Sequence, residues 1–215
     1  MIDIRSVQTQ KPASHFFAEK SIKPMQVSSL AQPILMDQYM LSPYPLGIRC
    51  IAYLDEDSTE LRSARNMRLL PLFPELTMLH HAALRKCIID GFIAPRDEAE
   101  PPLHYGIQNR LSTTLSFAIN QASQAYPVRF IAHDILHFDD EDLLCLPYLQ
   151  RRRYLGDALN ERQTLAFPIV LQQAEISGLS ASAEKGQRIL AKRKDGLYHP
   201  GNSSLDWIFL YATTT

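Results

Sequence analysis

The sequence predicts an α+β fold. Strand-like and helix-like segments follow one another irregularly, without the strict β–α alternation that is typical of a doubly wound sheet. The chain has 215 residues, of which 46% are hydrophobic and 21% are charged. These values are typical of one globular domain with a buried core. We expect an extension over residues 1–20, the domain itself over residues 21–211 and a short tail over residues 212–215.

Apolar runs bounded by turn residues predict the strands. Residues 47–54 form a β-rich run that ends in the acidic stretch 55–58, which indicates a hairpin with residues 61–65 as the return strand. The other predicted strands cover residues 88–94, 128–138, 188–191 and 207–211.

Apolar residues at helical spacing predict four helices. These helices cover residues 74–86, 105–125, 147–159 and 169–179. Residues 1–20 are polar and have no clear period, so we expect them to form an extension or a loosely attached strand.

The charge pattern limits how the protein could bind nucleic acid. The net charge is −1, so no overall basic field attracts phosphates and any contact must rest on a local patch. The densest basic stretch, whose side chains we expect to be exposed, consists of Lys185, Arg188, Lys192, Arg193 and Lys194. A second basic run lies at residues 151–153. Solvated faces are the ordinary interpretation of such runs, and DNA binding is the alternative.

The cysteines and histidines form no metal or disulfide pattern. Cys50, Cys87 and Cys145 are too few and too scattered for a disulfide framework or a zinc knuckle. We expect a reduced, cytoplasmic setting, and no apolar run approaches the ~20 residues of a membrane span. His133 and His137 lie in a predicted strand, where four residues span about 13 Å, too far for one zinc ion. We therefore expect His133 to be partly buried and His137 to lie at the surface.

Short motifs across most of the chain occur in the order that one enzyme family shows. They are Ile22-Lys23-Pro24-Met25, Gly47-Ile48-Arg49, Arg65-Asn66, Phe73-Pro74-Glu75-Leu76, Asp90-Gly91, Gln108-Asn109-Arg110-Leu111, Ala191-Lys192 and Asp206-Trp207. Together they resemble the adenylation domain of ATP-dependent DNA ligases. The resemblance implies the ATP-grasp-like nucleotidyltransferase fold shared with mRNA capping enzymes, with two antiparallel sheets flanked by helices. We expect no OB domain.

Several positions depart from the pattern of that family. The resemblance implies a Lys-x-Asp-Gly motif whose lysine takes AMP from ATP, but Tyr44 and Leu46 stand at the lysine and aspartate positions. Gly47 and Arg49 remain. Phe92 stands where the family has a glutamate that helps to hold the ribose and the metal ion.

The positions that contact the base and the phosphates differ as well. His133 corresponds to the aromatic residue that stacks on adenine, and Gln187 corresponds to a metal-binding glutamate. Phe209 and Tyr211 stand where two lysines contact phosphates. Phosphoryl transfer needs a nucleophile, a metal ion and cations that neutralise the developing charge. We therefore expect the large rings to fill the cleft and Tyr44 to be a packed side chain without a reactive role.

Three functional hypotheses follow from the resemblance. The favoured one is a pseudoenzyme, a catalytically inactive ligase-like protein that binds DNA or a DNA repair or processing partner and needs no cofactor. The second is a residual ATP-binding or nucleotidyltransferase enzyme of the DNA ligase type, which uses ATP and Mg²⁺ in a rearranged site. The third is a scaffold subunit of a larger complex. The expected vestigial nucleotide pocket comprises Tyr44, Gly47, Arg49, Arg65, Asp90, Phe92, His133, Gln187, Lys192, Phe209 and Tyr211.

The two arginines of this pocket have a second possible role. Arg49 and Arg65 match ligase pocket residues, and we expect them to pair with internal carboxylates such as Asp90 in place of phosphate.

Overall fold

Two β-sheets form the framework of the protein. The computed structural model describes residues 13–29, 35–96, 105–172 and 188–211. In chain order the strands are β1 (Gln26–Ser29), β2 (Tyr39–Pro43), β3 (Ile48–Leu54), β4 (Thr59–Ser63), β5 (Cys87–Pro95), β6 (Val128–Phe138), β7 (Glu141–Asp142), β8 (Leu165–Ala166), β9 (Arg188–Arg193) and β10 (Ser203–Tyr211). The α-helices are α1 (Ala13–Glu19), α2 (Tyr105–Ser112), α3 (Ser116–Ala125) and α4 (Tyr148–Ala158).

Both sheets are mainly antiparallel. One has four strands in the order β1-β10-β9-β2, and the other has the order β4-β3-β5-β6-β7 with β8 added beside β6. Only the pairs β1–β10 and β6–β8 are parallel among the described strands. The helices are few and short, and none that the structure describes is long and apolar enough to cross a membrane. The predicted α+β fold with two sheets is confirmed.

The strand predictions agree with the structure because the predicted runs are buried. The turn at residues 55–58 joins β3 to β4, and the run 128–138 forms β6 over its whole length. Among the helix predictions, residues 147–159 form α4 as expected.

The helix predicted at residues 74–86 is wrong. This segment forms two short 3₁₀ helices, Pro74–Leu76 and Leu79–Ala82. The backbone N–H of His80 donates to Thr59 Oγ1 at 3.0 Å, so it is unavailable to a helical ladder.

The helix predicted at residues 105–125 is interrupted between α2 and α3. The backbone N–H of Leu115 donates to the Thr113 hydroxyl at 3.2 Å. Local side-chain bonds of this kind compete with helical hydrogen bonds, which explains why one predicted helix becomes two. In the last predicted helix, residues 169–172 are not helical and residues 173–179 lie outside the described residues.

Part of the predicted N-terminal extension folds as α1. Phe16 and Phe17 pack against buried residues between the sheets, and Phe17 meets the Tyr53 ring edge-on at 6.0 Å. The Tyr53 hydroxyl in turn accepts the backbone N–H of Ile22 at 2.9 Å. The expectation of a loosely attached strand is therefore wrong for residues 13–19.

The larger sheet separates two buried layers. Alternate residues of β3 point to opposite faces, so that Ala52 lies in one layer and Ile51 and Tyr53 lie in the other. The first layer packs under α4 and the 3₁₀ helices. The second lies between the two sheets, where it meets Leu190 of β9 and Trp207 of β10. This second layer also holds the charged side chains of the candidate site.

Candidate functional site

Tyr44 lies just after β2, at one end of the space between the sheets. Its backbone N–H donates to the Arg188 carbonyl at 2.8 Å, which fixes this residue against β9. Its ring meets Phe92 and Phe209 edge-on, each with a centroid distance of 4.9 Å. Tyr44 therefore has the packed, space-filling role predicted for it, and burial raises the pKa of its hydroxyl.

Gly47 and Arg188 frame this aromatic cluster. A Cβ atom on Gly47 would lie 2.1 Å from the Ile93 carbonyl oxygen, so only glycine lets the loop approach β5 this closely. The Arg188 guanidinium lies 5.3 Å from the Tyr44 ring centre and 5.0 Å from that of Phe209. The side chain is exposed, so the cluster presents one positive charge to solvent.

Arg49 and Asp90 form a buried ion pair next to the cluster. Arg49 Nη2 and Nε donate to Asp90 Oδ2 and Oδ1 at 2.6 and 3.1 Å. The Tyr198 hydroxyl donates to the same Oδ2 at 2.7 Å, and the Arg49 guanidinium lies 4.8 Å from the Trp207 ring centre. This is the internal pairing that the sequence predicted for Arg49.

Lys192 lies deeper between the sheets and is only 2% exposed. Its Nζ donates to the His133 carbonyl at 2.8 Å and lies 3.7 Å from the Trp207 ring centre. Asp134 Oδ2 is 3.9 Å away, but that carboxylate is already held by two hydrogen bonds from Arg151. Burial lowers the pKa of Lys192 to about 7, although Asp134 opposes this change.

The imidazole of His133 is buried without a polar partner. Its ring is 1% exposed, and neither nitrogen has a hydrogen-bond partner among the described residues. Phe92 meets the ring at 5.1 Å. Burial, followed by the positive charges of Lys192 and Arg49, holds the pKa of His133 well below its usual range. His133 is thus more deeply buried than predicted, and His137 is buried as well, which corrects its predicted surface position.

Other predicted site residues do not join this group. Arg65 is exposed on the turn after β4 and forms no ion pair with a described carboxylate, so its predicted pairing is wrong. Lys185 and Gln187 lie outside the described residues, as does the side chain of Tyr211.

The predicted exposure of the basic stretch is wrong at Lys192. Lys192 is buried, because it shares the inward face of β9 with Leu190. Arg193 Nε pairs with Asp195 at 2.7 Å, and Lys194 Nζ donates to the Asp37 carbonyl at 2.6 Å. Arg188 is exposed, and the Arg193 side chain is 43% exposed, as predicted.

Sequence reasoning missed three residues of the site, namely Asp134, Arg151 and Tyr198. Asp134 stands inside the apolar run of β6, where a carboxylate must find a buried partner. The position of Asp134 in the sequence could therefore have indicated a buried ion pair. Arg151 was assigned to an exposed basic run, although it is fully buried against that carboxylate.

The described residues do not fit a catalytic metal ion. Asp90 and Asp134 each use both oxygens to accept arginine hydrogen bonds. No group of three or more acidic, histidine or cysteine side chains in the described ranges could hold a metal ion.

Comparison with known proteins identifies similar sequences. A family model described as an ATP dependent DNA ligase domain matches residues 46–209. A probable DNA ligase of Dictyoglomus thermophilum is 30% identical over 171 residues, which cover 76% of this chain and 29% of that protein. A DNA ligase of Thermococcus fumicolans is 28% identical over 176 residues, which cover 78% and 31%. The chain spans under a third of the length of these two relatives.

Solved structures share the fold. Mycobacterial DNA ligase D complexed with ATP and MES superimposes with a TM-score of 0.67 at 24% identity, covering 87% of this chain and 59% of that one. A structure from a study of Lig E DNA ligases gives 0.60 at 18% identity, with 89% and 69% covered.

One functional expectation is corrected by these matches. The sequence favoured a pseudoenzyme, but the similar proteins are named as DNA ligases, which are enzymes. We withdraw the expectation of an inactive protein.

Proposed function

Because this chain belongs to the ATP-dependent DNA ligase family, we propose that it takes AMP from ATP onto an amine between its two sheets, as the first step in joining DNA strands. The observation that carries the proposal is Lys192, a lysine enclosed by rings beside the family's nucleotide cleft. The proposal describes a ligase-type enzyme with a rearranged site. ATP is its nucleotide and DNA is its substrate.

The protonation state of Lys192 supports this role. A lysine attacks as a nucleophile only when its amine is neutral, and burial among apolar groups is one way to achieve this. With a pKa of about 7, a substantial fraction of Lys192 is neutral at physiological pH. The Tyr44 hydroxyl, in contrast, stays protonated because burial raises its pKa.

The Nζ lone pair of Lys192 attacks the α-phosphorus of ATP, and a P–N bond forms as the P–O bond to the leaving pyrophosphate breaks. The amine loses a proton to solvent water as the P–N bond forms. Arg188 has no ion-pair partner among the described residues and is available to a phosphate.

Because Lys192 is enclosed by rings, part of the structure must move before ATP can reach its amine. The Tyr148 and Trp207 ring centres lie 4.8 and 3.7 Å from Nζ, so a nucleotide reaches the amine only after one of these rings moves. The hydrogen bond to the His133 carbonyl must also be released. The proposal therefore includes an opening between the sheets.

Labelling with ATP that carries ³²P at the α-phosphate tests the proposal. The protein is incubated with Mg²⁺ or Mn²⁺ and nicked DNA, then separated by denaturing electrophoresis. We expect a labelled band that is lost in Lys192→Met and kept in Lys194→Met, a matched lysine two residues away. The label should be acid-labile, because P–N bonds hydrolyse in acid.

Two results would contradict the proposal. A label that is acid-stable and is lost only in Tyr44→Phe would make Tyr44 the acceptor. An unlabelled band under all these conditions would exclude AMP transfer by this chain.

A further inference from the structure

Two ion pairs flank the Lys192 amine between the sheets. Arg49 holds both oxygens of Asp90, and Arg151 holds both oxygens of Asp134. Both aspartates are fully buried, so each negative charge is already matched by an arginine. Lys192 is therefore a third cation beside two satisfied carboxylates, and neither of them is hydrogen-bonded to its amine.

Asp134 is the carboxylate that Lys192 could otherwise bind. Its Oδ2 lies 3.9 Å from Lys192 Nζ, which is too far for a hydrogen bond. The same oxygen accepts Arg151 Nη2 at 3.0 Å, whereas Oδ1 accepts Arg151 Nε and the backbone N–H of Ile135, each at 2.9 Å. Lys192 donates instead to the His133 carbonyl, a neutral acceptor, at 2.8 Å. The guanidinium thus occupies the carboxylate that the amine lacks.

Arg151 is fixed in this position by further contacts. Its side chain is fully buried, and Nη1 donates to the carbonyls of Leu146 and Gly196. A planar guanidinium matches a carboxylate with two parallel hydrogen bonds, whereas an ammonium group is a point charge. Arg151 therefore keeps Asp134, although Lys192 lies beside the same carboxylate.

We propose that Arg151 is a positioning residue for AMP transfer: it holds both oxygens of Asp134, which keeps this carboxylate from pairing with Lys192 and leaves the amine free to lose its proton. This inference rests on the proposed function, since it concerns the same amine. Arg151 acts through Asp134 and not on the reacting nitrogen itself. Burial lowers the pKa of Lys192, Asp134 and Asp90 oppose this effect, and Arg49 and Arg151 add to it.

The other titratable groups around the amine are neutral at physiological pH. The Tyr148 ring of α4 lies 4.8 Å from Lys192 Nζ, and burial raises the pKa of its hydroxyl. Burial also holds the pKa of Tyr198 well above its usual range and that of the His133 imidazole well below it. The two ion pairs are therefore the charges to which the amine responds.

Nuclear magnetic resonance of protein labelled with ¹³C-lysine tests this inference without depending on activity. The Lys192 Cε signal, identified by its absence in Lys192→Met, is followed against pH. Arg151→Gln frees the Asp134 carboxylate, so we expect the pKa of Lys192 to rise by about 1–3 units, the usual effect of an opposite charge at close range. Arg153→Gln, which replaces an exposed arginine two residues further along α4, should leave it unchanged.

Two further variants test whether Asp134 transmits the effect. The double variant Asp134→Asn with Arg151→Gln replaces the ion pair by two neutral amides that can bond to each other, so the pKa of Lys192 should not rise. Arg151→Lys keeps a buried positive charge and serves where Arg151→Gln does not fold. One ammonium group cannot hold both Asp134 oxygens as the guanidinium does, so we expect a smaller rise here. Thermal unfolding verifies the fold of each variant.

The pH profile of AMP transfer separates this role from a merely structural one. A higher pKa leaves less neutral amine, so ³²P labelling of Arg151→Gln should be slower by about fivefold or more at pH 7 and should recover at higher pH. Damage to the fold would slow labelling at every pH.

Three results would overturn the inference. They are a Lys192 pKa that is unchanged in every folded Arg151 variant, an equal rise in the double variant, and a wild-type Lys192 that titrates at its ordinary value. If the wild type is labelled in any of these cases, the proposed function survives without this role of Arg151. An unlabelled wild type whose Lys192 pKa responds as expected would instead overturn AMP transfer and leave the effect of Arg151 on Lys192 established.

Discussion

Arg49 of β3 and Asp90 of β5 are joined by two hydrogen bonds although they are not opposite each other in the sheet. The register pairs Arg49 with Phe92 and Asp90 with Ile51. The guanidinium therefore reaches diagonally along one face to the carboxylate, with 2.6 Å between Nη2 and Oδ2. Because Asp90 is fully buried, neither charge of this pair can be removed without leaving the other uncompensated.

The first prediction concerns this ion pair. Asp90→Asn should lower the free energy of unfolding by about 3–5 kcal/mol, because a buried guanidinium loses its counter-charge. Urea denaturation measures the change. Asp195→Asn, which breaks the exposed contact with Arg193, should change it by no more than about 1 kcal/mol and is the matched control. Equal effects of the two substitutions would show that the Asp90 pair does not stabilise the fold.

The second prediction concerns the pH dependence contributed by Lys192. Its pKa is about 7 in the folded protein and 10.5 ordinarily, so between these values the unfolded chain binds more protons. The free energy of unfolding should therefore rise with pH between about 7 and 10.5 because of this group. Below pH 7 the stabilisation gained over that range is absent. Urea denaturation across this range should show a smaller rise in Lys192→Met, while Lys194→Met retains the wild-type rise. Parallel curves for wild type and Lys192→Met would contradict this.

A third prediction follows from the unpartnered imidazole of His133. His133→Phe should raise the free energy of unfolding by about 1–3 kcal/mol at neutral pH, because two unsatisfied buried nitrogens are removed. The difference should grow below pH 6.5, where the unfolded histidine gains a proton that the buried ring does not accept. Thermal and urea unfolding at several pH values measure both effects. His81→Phe, at an exposed position, is the control, and a destabilised His133→Phe protein would refute the prediction.

The fourth prediction concerns DNA. Lys192 is buried, and Arg193 and Lys194 make exposed local contacts, so Arg188 is the exposed side chain of this stretch that has no ion-pair partner among the described residues. Fluorescence anisotropy with nicked duplex should give a log–log salt slope that flattens by about 0.9 in Arg188→Ala if one phosphate contact is lost. Arg85→Ala, an exposed arginine outside the stretch, serves for comparison. Identical slopes for wild type and Arg188→Ala would place the DNA contact elsewhere.

The sequence predicted the strands that consist of long apolar runs, whereas the short and partly exposed strands β1 and β2 were not predicted. β3 and β6 illustrate this, since each is an apolar run closed by an acidic turn. The helix at residues 74–86 could not be rejected in the same way. The Thr59 hydroxyl accepts the backbone N–H of His80, which a helix would need for its own hydrogen bond. Thr59 lies fifteen positions before the segment begins, so the segment's own sequence does not show this contact.

The site was only partly predictable, for a different reason. The positions of Tyr44, Phe92 and Phe209 followed from motif order, and their rings do meet. The burial of Lys192 required knowledge that β9 lies inside its sheet, between β10 and β2. A local count of basic residues contains no such information, so a buried lysine was mistaken for part of an exposed patch.

The parallel pairing of β1 with β10 has a consequence for the order of folding. All strands of the larger sheet come from residues 48–166, whereas the smaller sheet joins residues 26–43 to residues 188–211. Contacts between distant segments form later, because the intervening chain must lose more conformational freedom. Pulse-labelled hydrogen exchange should therefore protect the β3 and β5 amides before those of β9, and simultaneous protection would argue against this order. On this order, the larger sheet would be complete while the Trp207 side of the Lys192 enclosure is still unformed, so the proposed nucleophile would be enclosed late.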